Sequence, residues 1–332
     1  MDATPTAEQR ELAKAERSWL ELNNPLTRVR ECLDSVPVTI DPRAITHTSE
    51  SGLLSLLTPD GGGAHPDLAV LSETHGRAAS SLPIADIAIA QWLTVAAHTA
   101  AGADVTPGLE LVLVGEERAD GSAPLPMAAD MQAVALVGRT KSGDYVKIFS
   151  GPNLRSMSTF DRTRSWARVR TDSTEVQTIR MPHGTTDFVC DALALHRAWD
   201  ALGAAAALLD MTVTYAGQRK QFGATIGSFQ AVKHHCANMT VAVEAARSAL
   251  WSATLAVNDG NQPVSRKQAV AAAAAYAKNA ATDVASTALQ VHGGIGFTWE
   301  HDLHLFLRRI RVDRAMNGTV ESHRAALVDA AS

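Results

Sequence analysis

YAGQRKQFGATIGSFQAV, residues Tyr215–Val232, is the stretch on which the reading of this chain turns. It begins in an apolar helical run, turns at a basic corner, and enters a second helix. Arg219 and Lys220 put two cations on that corner, followed by Phe222-Gly223. A guanidinium can bond two phosphate oxygens at once, so Arg beside free backbone donors suits phosphate recognition. A plain helix–turn–helix with a basic corner would read the same way in isolation. Further on comes QVHGGIGF, Gln290–Phe297, in which paired glycines would let a backbone approach a ligand closely. Alone, a Gly-Gly pair is most simply a helix C-cap.

Outward from these blocks the chain is helical from about residue 187 to the end. Leu193–Tyr215 is rich in Ala and Leu and is interrupted only by Gly203. Val232, Cys236, Met239, Val243, Ala246 and Leu250 recur at three- and four-residue spacings, one apolar stripe on a long helix that stops at Asn258-Asp259-Gly260. A third helix follows Pro263 and Ser265, passes through the Ala block at Ala269–Ala275, and ends at Gly293-Gly294. Small residues at the contacts predict close antiparallel packing.

Between about 106 and 186 the texture is β. LELVLV (Leu109–Val114), AVALVG (Ala133–Gly138), YVKIF (Tyr145–Phe149), WARVR and VQTIRM are short runs separated by turns such as Ala119-Asp120-Gly121 and Ser142-Gly143-Asp144. Met181-Pro182-His183-Gly184 reads as the exit. Residues 1–105 are helical, with a Thr6/Gln9 capping box and a Gly-rich break at Asp60–Gly63. The expected fold is multi-domain α+β: an N-terminal helical domain (1–105), a small, shortened antiparallel β domain (106–186), and a C-terminal four-helix bundle (187–332).

Composition removes several alternatives. A formal net charge of −5 over 332 residues argues against a broad nucleic-acid surface. The cluster Arg308, Arg309, Arg311 and Arg314 is expected to be a solvated helix face with ion pairs. The three cysteines, Cys32, Cys190 and Cys236, are far apart and form neither a disulfide framework nor a metal motif. With a polar N-terminus and no long charge-free apolar stretch, the expected location is the cytoplasm, with no metal and no membrane span.

Taken together, the two blocks resemble the acyl-CoA dehydrogenase family. Its C-terminal domain carries an RKxFG block, a Gln near the start of the next helix, and a QxxGGxGF block. Here these are Arg219-Lys220-Gln221-Phe222-Gly223, Gln230, and Gln290-Val291-His292-Gly293-Gly294-Ile295-Gly296-Phe297. The likeness runs through roughly residues 190–325, touches Asp161–Arg170 and Ala69–Ile89, and thins elsewhere. It implies that Arg219, Gln221, Phe222, Gln230, Gln290, Gly293 and Gly294, with Thr319, contact FAD. In the family the RKxFG and QxxGG residues reach the pyrophosphate and adenosine of the neighbouring subunit's flavin.

Two departures bear on activity. The family removes the α-proton of an acyl-CoA with a carboxylate, usually a Glu before Gly-Thr near the C-terminus. This chain has Met316-Asn317-Gly318-Thr319, and an amide has no useful basicity. Members that carry the Glu on the first C-terminal helix place it where Leu193 stands, with Asp191 the nearest carboxylate. The β segments that contact the flavin ring (TEPxxGSD and a WI-S/T-N segment) are also missing; Gly115–Arg118 and Met127–Asp130 stand in that region. The resemblance therefore implies the non-catalytic subunit of a heteromeric, α2β2 acyl-CoA dehydrogenase of the actinobacterial type. FAD would be shared with a catalytic partner subunit, and the substrate would be a bulky acyl thioester such as a steroid side-chain CoA ester. The alternatives are a self-sufficient flavoenzyme with an unusual base, for which Asp191 is the candidate, and a structural partner that binds no flavin.

Overall fold

Gly184 starts the longest helix of the molecule. Its φ of 92° lets the chain leave the sheet and enter α6, Thr185–Gln218. At 34 residues, α6 is roughly 50 Å long at 1.5 Å per residue. It packs against five of the other helices. A computed structural model of the chain describes residues 4–33, 37–103, 105, 109–170, 176–259 and 262–331. The expected stop Gly260 lies outside these, as does the Cys32 side chain.

Among the described residues, five helices precede the sheet: α1 (Ala7–Asn23), α2 (Leu26–Leu33), α3 (Pro42–Glu50), α4 (His65–Arg77) and α5 (Ile84–Ala101). Thr6 and Gln9 form the expected capping box at α1. Helix α5 is long and apolar enough to cross a membrane by length and composition alone. However, 56% of it is buried inside the protein, and its Asp86 is paired in the core.

The β region holds β1 (Val112–Glu116), β2 (Ser122–Pro126), β3 (Ala133–Thr140), β4 (Gly143–Ser150), β5 (Asn153–Met157), β6 (Trp166–Arg170) and β7 (Val176–Arg180). They form two sheets, ordered β1-β3-β4-β7 and β2-β6-β5. One pairing departs from the antiparallel expectation: β1 runs parallel to β3, because the chain visits β2 in the other sheet before returning. β2 also lacks a sequence signature. Pro124 and Pro126 demote a run to edge or non-strand, and β2 is indeed an edge strand, paired only with β6.

After α6 come a short hairpin, β8 (Lys220–Gln221) and β9 (Ala224–Thr225), then α7 (Gln230–Asp259), α8 (Pro263–His292), α9 (Leu303–Ala315) and α10 (Val320–Ala331). α6, α7 and α8 run up, down and up, so α6 and α8 end at the same end of the bundle. Of the predicted α7 stripe, Met239, Val243, Ala246 and Leu250 are buried, while Val232 and Cys236 are only half-buried near the helix start.

Two apolar clusters form the core. One joins α4 and α5 to the sheet through Leu68, Ile87, Val114 and Leu136. The other fills the bundle through Leu202, Ala205, Leu250 and Ala277. Glycines set how closely α4 and α6 cross. A Cβ on Gly203 would stand 2.0 Å from the Glu73 carbonyl oxygen, and one on Gly76 would stand 2.1 Å from that of Asp200.

Candidate functional site

The RKQFG block folds as the tip of the β8–β9 hairpin. Phe222 and Gly223 form the two-residue turn with φ of 51° and 79°. Turns of this kind match strand twist but need φ > 0 at both positions, which favours Asn-Gly or Gly-Gly. A Phe here carries a steric cost of about 1–2 kcal/mol, yet its ring is 95% exposed and stands edge-on to Phe229. Arg219 caps α6, donating its backbone N–H to the Tyr215 carbonyl, and accepts from Ile226 N–H.

The second block lies beside the first. α8 ends at His292, and Gly293 turns the chain with φ 60° and ψ −138°. A Cβ on Gly293 or Gly294 would meet nothing within 4 Å, so this backbone faces open space. Tyr215 stacks on His292, ring centroids 4.5 Å apart, and His301 closes the cluster edge-on to both. Arg219, Gln221, Phe222, Gln230 and Gln290 are all exposed at this end of the bundle. Neither block contains a carboxylate of its own, and the donors and cations they contribute are exposed at this end of the bundle. Such a donor set fits a phosphate-bearing ligand.

Thr319 does not join this cluster. It opens α10, with its hydroxyl oxygen accepting from Ser322 N–H. It lines a separate groove of ≈ 820 Å³ with Met157, Phe160, Arg311 and Met316. The loop before it is held from beneath by Lys278, whose ammonium donates to the carbonyls of Met316 (2.8 Å) and Gly318 (2.7 Å). Lys278 and His292 are fourteen residues apart on α8, so the two regions are separated by roughly 20 Å.

Asn317 sits at φ 51° and Gly318 at φ 90°, consecutive left-handed residues of the kind Asn and Gly tolerate best. The Asn317 Oδ1 accepts from Arg197 Nε at 3.3 Å. Arg197 is buried; its Nη2 donates to Asp86 at 2.7 Å, and Asp313 stands 3.8 Å from its Nε. Leu193 lies one turn before Arg197, and both line a cavity of ≈ 10 Å³ with Asp86, room for about one water. Positions 317 and 193, where the sequence resemblance leads one to expect a carboxylate, thus converge on one arginine.

Behind this contact lies a chain of buried charges. Arg309 forks onto Asp200 at 2.7 and 2.9 Å, and its third nitrogen donates to Ser80 O and Thr163 Oγ1, both at 2.9 Å. Arg309 is therefore an interior strut, a correction to the solvated-face reading of the 308–314 cluster. Burial alone would raise Asp200, but Arg164 and Arg309 hold its carboxyl well below the usual range. Asp313, buried near Asp200, is pushed upward. Burial pushes the Lys278 ammonium down to about 7.

Asp191 points elsewhere. Two residues along a helix differ by about 200° in direction, so Asp191 leaves the Leu193 face. It binds Arg266 Nε at 2.8 Å and lines a groove against the sheet with Glu116, Cys190 and Lys267. Burial raises its pKa while Arg266 opposes the rise. In the region of the missing flavin segments, Glu117 is occupied by Tyr145 Oη at 2.7 Å and Lys147 Nζ at 2.8 Å.

Sequence reasoning missed Arg197, Asp86 and the role of Lys278. The available signal was a lone charge inside an apolar run: Arg197 in LALHRAW and Lys278 after an unbroken stretch of Ala and Tyr. Such a charge must be paired when the helix is central to a core.

Comparison with known proteins gives the family and the fold. The family described as acyl-CoA dehydrogenase, C-terminal domain, matches residues 191–331. The acyl-CoA dehydrogenase IpdE2 of Mycobacterium tuberculosis is 32% identical over 272 residues, covering 78% of this chain and 76% of that protein. Among solved structures, the ChsE4–ChsE5 complex from Mycobacterium tuberculosis superposes with a TM-score of 0.84 at 21% identity, covering 99% of this chain and 98% of the matched one. A variant of the Tcur3481–Tcur3483 steroid ACAD superposes with a TM-score of 0.83 at 20% identity, covering 98% and 97%. At these identities the structures attest the fold, and the IpdE2 alignment carries the kinship: the chain belongs to the acyl-CoA dehydrogenase family.

Proposed function

We propose that this chain is the non-catalytic subunit of a heteromeric, FAD-dependent acyl-CoA dehydrogenase, an α2β2 assembly in which it clamps a flavin shared with a catalytic partner chain. The carrying observation is a split in its residues. Asn317 and Leu193 leave both base positions without a carboxylate, while Arg219, Gln221, Phe222, Gln230, Gln290, Gly293 and Gly294 still present a donor surface at one end of the bundle. That surface is open, as half of a site should be.

Arg219 would supply the charge opposite the pyrophosphate, the three Gln amides would orient the adenosine end, and Phe222 and the glycine backbone would shape the cleft. FAD, when bound, supplies the hydride acceptor for acyl α,β-dehydrogenation. The α-proton is left to a carboxylate outside positions 193 and 317. Likeness to a structure described as a steroid ACAD supports a bulky acyl group, such as a steroid side-chain CoA thioester. Free Cys190 and Cys236 accord with a reducing cytoplasm.

The test is co-expression with the catalytic chain and measurement of FAD per complex. Arg219→Ala should weaken FAD retention by about 1.5–3 kcal/mol, the worth of a charged hydrogen bond. FAD content unmoved by that change would leave only a structural partner. A yellow homotetramer of this chain alone that oxidises acyl-CoA would overturn the proposal.

A further inference from the structure

We infer that Arg197 is a plug: its guanidinium occupies the reacting end of this chain's own acyl cleft, and it would neutralise any carboxylate restored there. The inference rests on the family assignment of positions 317 and 193 as base positions, and it deepens the proposed division of labour. Loss of the base alone would leave a cleft that one substitution could revive. The structure goes further. Asn317 Oδ1 lies 3.3 Å from Arg197 Nε. Leu193 stands one helical turn from Arg197, and the space the two border with Asp86 is ≈ 10 Å³, too small for any acyl carbon chain. Asp86 fixes the guanidinium at 2.7 Å, and the Trp166 ring lies 5.7 Å from its centre. Arg197 is thus anchored from α5 and β6 and has little freedom to swing aside.

A carboxylate introduced at 317 would meet this arginine first. Other charged groups around the loop include Asp313 and Arg314 from α9, Lys278 from α8 and His323 from α10, and Asp313, 3.8 Å from the arginine's Nε, is its second carboxylate after Asp86. The plug predicts an ion pair, with the new carboxyl held below the usual aspartate range. An open, desolvated cleft predicts the reverse, a carboxyl raised toward the range useful for a base.

The experiment uses the full chain. Asn317→Asp is nearly isosteric and tolerates the left-handed backbone. Its melting temperature is compared with that of the parent from pH 4 to pH 7. A carboxyl of depressed pKa contributes stability above the unfolded aspartate value of about 4 and loses it as pH falls. The variant should therefore gain on the parent as pH rises, by about 2–4 °C. A variant that instead loses ground as pH rises, or does not move, overturns the plug. Asn317→Asp combined with Arg197→Leu and Asp86→Asn should lose this slope, because the half-buried new carboxyl then lacks its nearest cation. Should that combination fail to fold, the single variant still decides. FAD content of the complex reads the clamp, and this slope reads the plug, so either can fail without the other.

Discussion

Tyr215 lies nearly parallel to His292, 20° between ring planes and 4.5 Å between centroids, and this stack joins the end of α6 to the end of α8. It is the physical link between the RKQFG hairpin and the Gly-Gly turn. His292 also donates Nδ1–H to the Ala288 carbonyl at 2.8 Å, which leaves Nε2 as a buried acceptor with no partner among the described residues.

His292→Ala should therefore act on the clamp more than on the fold. An aromatic pair contributes about 0.5–1.5 kcal/mol beyond its buried area. The expected outcome is a small loss of melting temperature with FAD retention in the complex reduced about two- to tenfold. Flavin absorbance per complex after gel filtration measures it. Retention equal to the parent would mean that the two blocks are positioned independently.

Phe222 separates stability from binding. Its left-handed φ of 51° carries a cost that glycine would not, and its side chain, 95% exposed, gives little back in the isolated chain. Phe222→Gly should leave the melting temperature of the chain unchanged or slightly raised, while FAD retention in the complex falls. If FAD retention held instead, Phe222 would have no part in the clamp.

Much of this was legible beforehand. The bundle shows in the Met239–Leu250 stripe and in the Ala block, since periodicity and small residues specify helix packing directly. The RKQFG and Gly-Gly blocks could be named from their cations and glycines and from the family resemblance they carry together. Their adjacency could not be, because it depends on α6 and α8 ending together, which is a matter of topology. β2 and β5 were illegible: one contains two prolines, and the other, NLRSM, is largely polar and half-exposed. The interior was hidden for another reason. Arg197, Arg309 and Lys278 are surface residue types that become core residues only through partners distant in sequence, such as Asp86 and Asp200.

Gly203 tests the core that positions all of this. Gly→Ala in a helix interior normally gains up to about 1 kcal/mol. Here the new Cβ would stand 2.0 Å from Glu73 O and 2.8 Å from Arg77 N, backbone atoms that cannot swing away. Separating α4 from α6 should outweigh the propensity gain by about 1–3 kcal/mol. Gly203→Ala should lower the melting temperature by several degrees, and Gly203→Ser should do so at least as much. A stabilised Gly203→Ala would show that the helices can part at little cost.

Lys278 gives the pH signature of the loop. It is fully buried beneath Met316 and Gly318, and burial drops its pKa from 10.5 to about 7. A base with a depressed folded pKa is protonated more in the unfolded chain than in the folded one between the two values, so stability from this group rises with pH across that window. Below about 7 it is charged in both states, and the folded protein carries the desolvation cost. Lys278→Met keeps the stem and removes the titration. The parent should therefore gain on Lys278→Met between about pH 7 and pH 10, by roughly 1 kcal/mol or more, read by urea unfolding at fixed temperature. Lys278→Met also leaves two loop carbonyls without their donor, so it should be the less stable protein at the alkaline end. A constant difference across that range would mean that the ammonium keeps its proton in the core, held by Asp313 against the cost of burial.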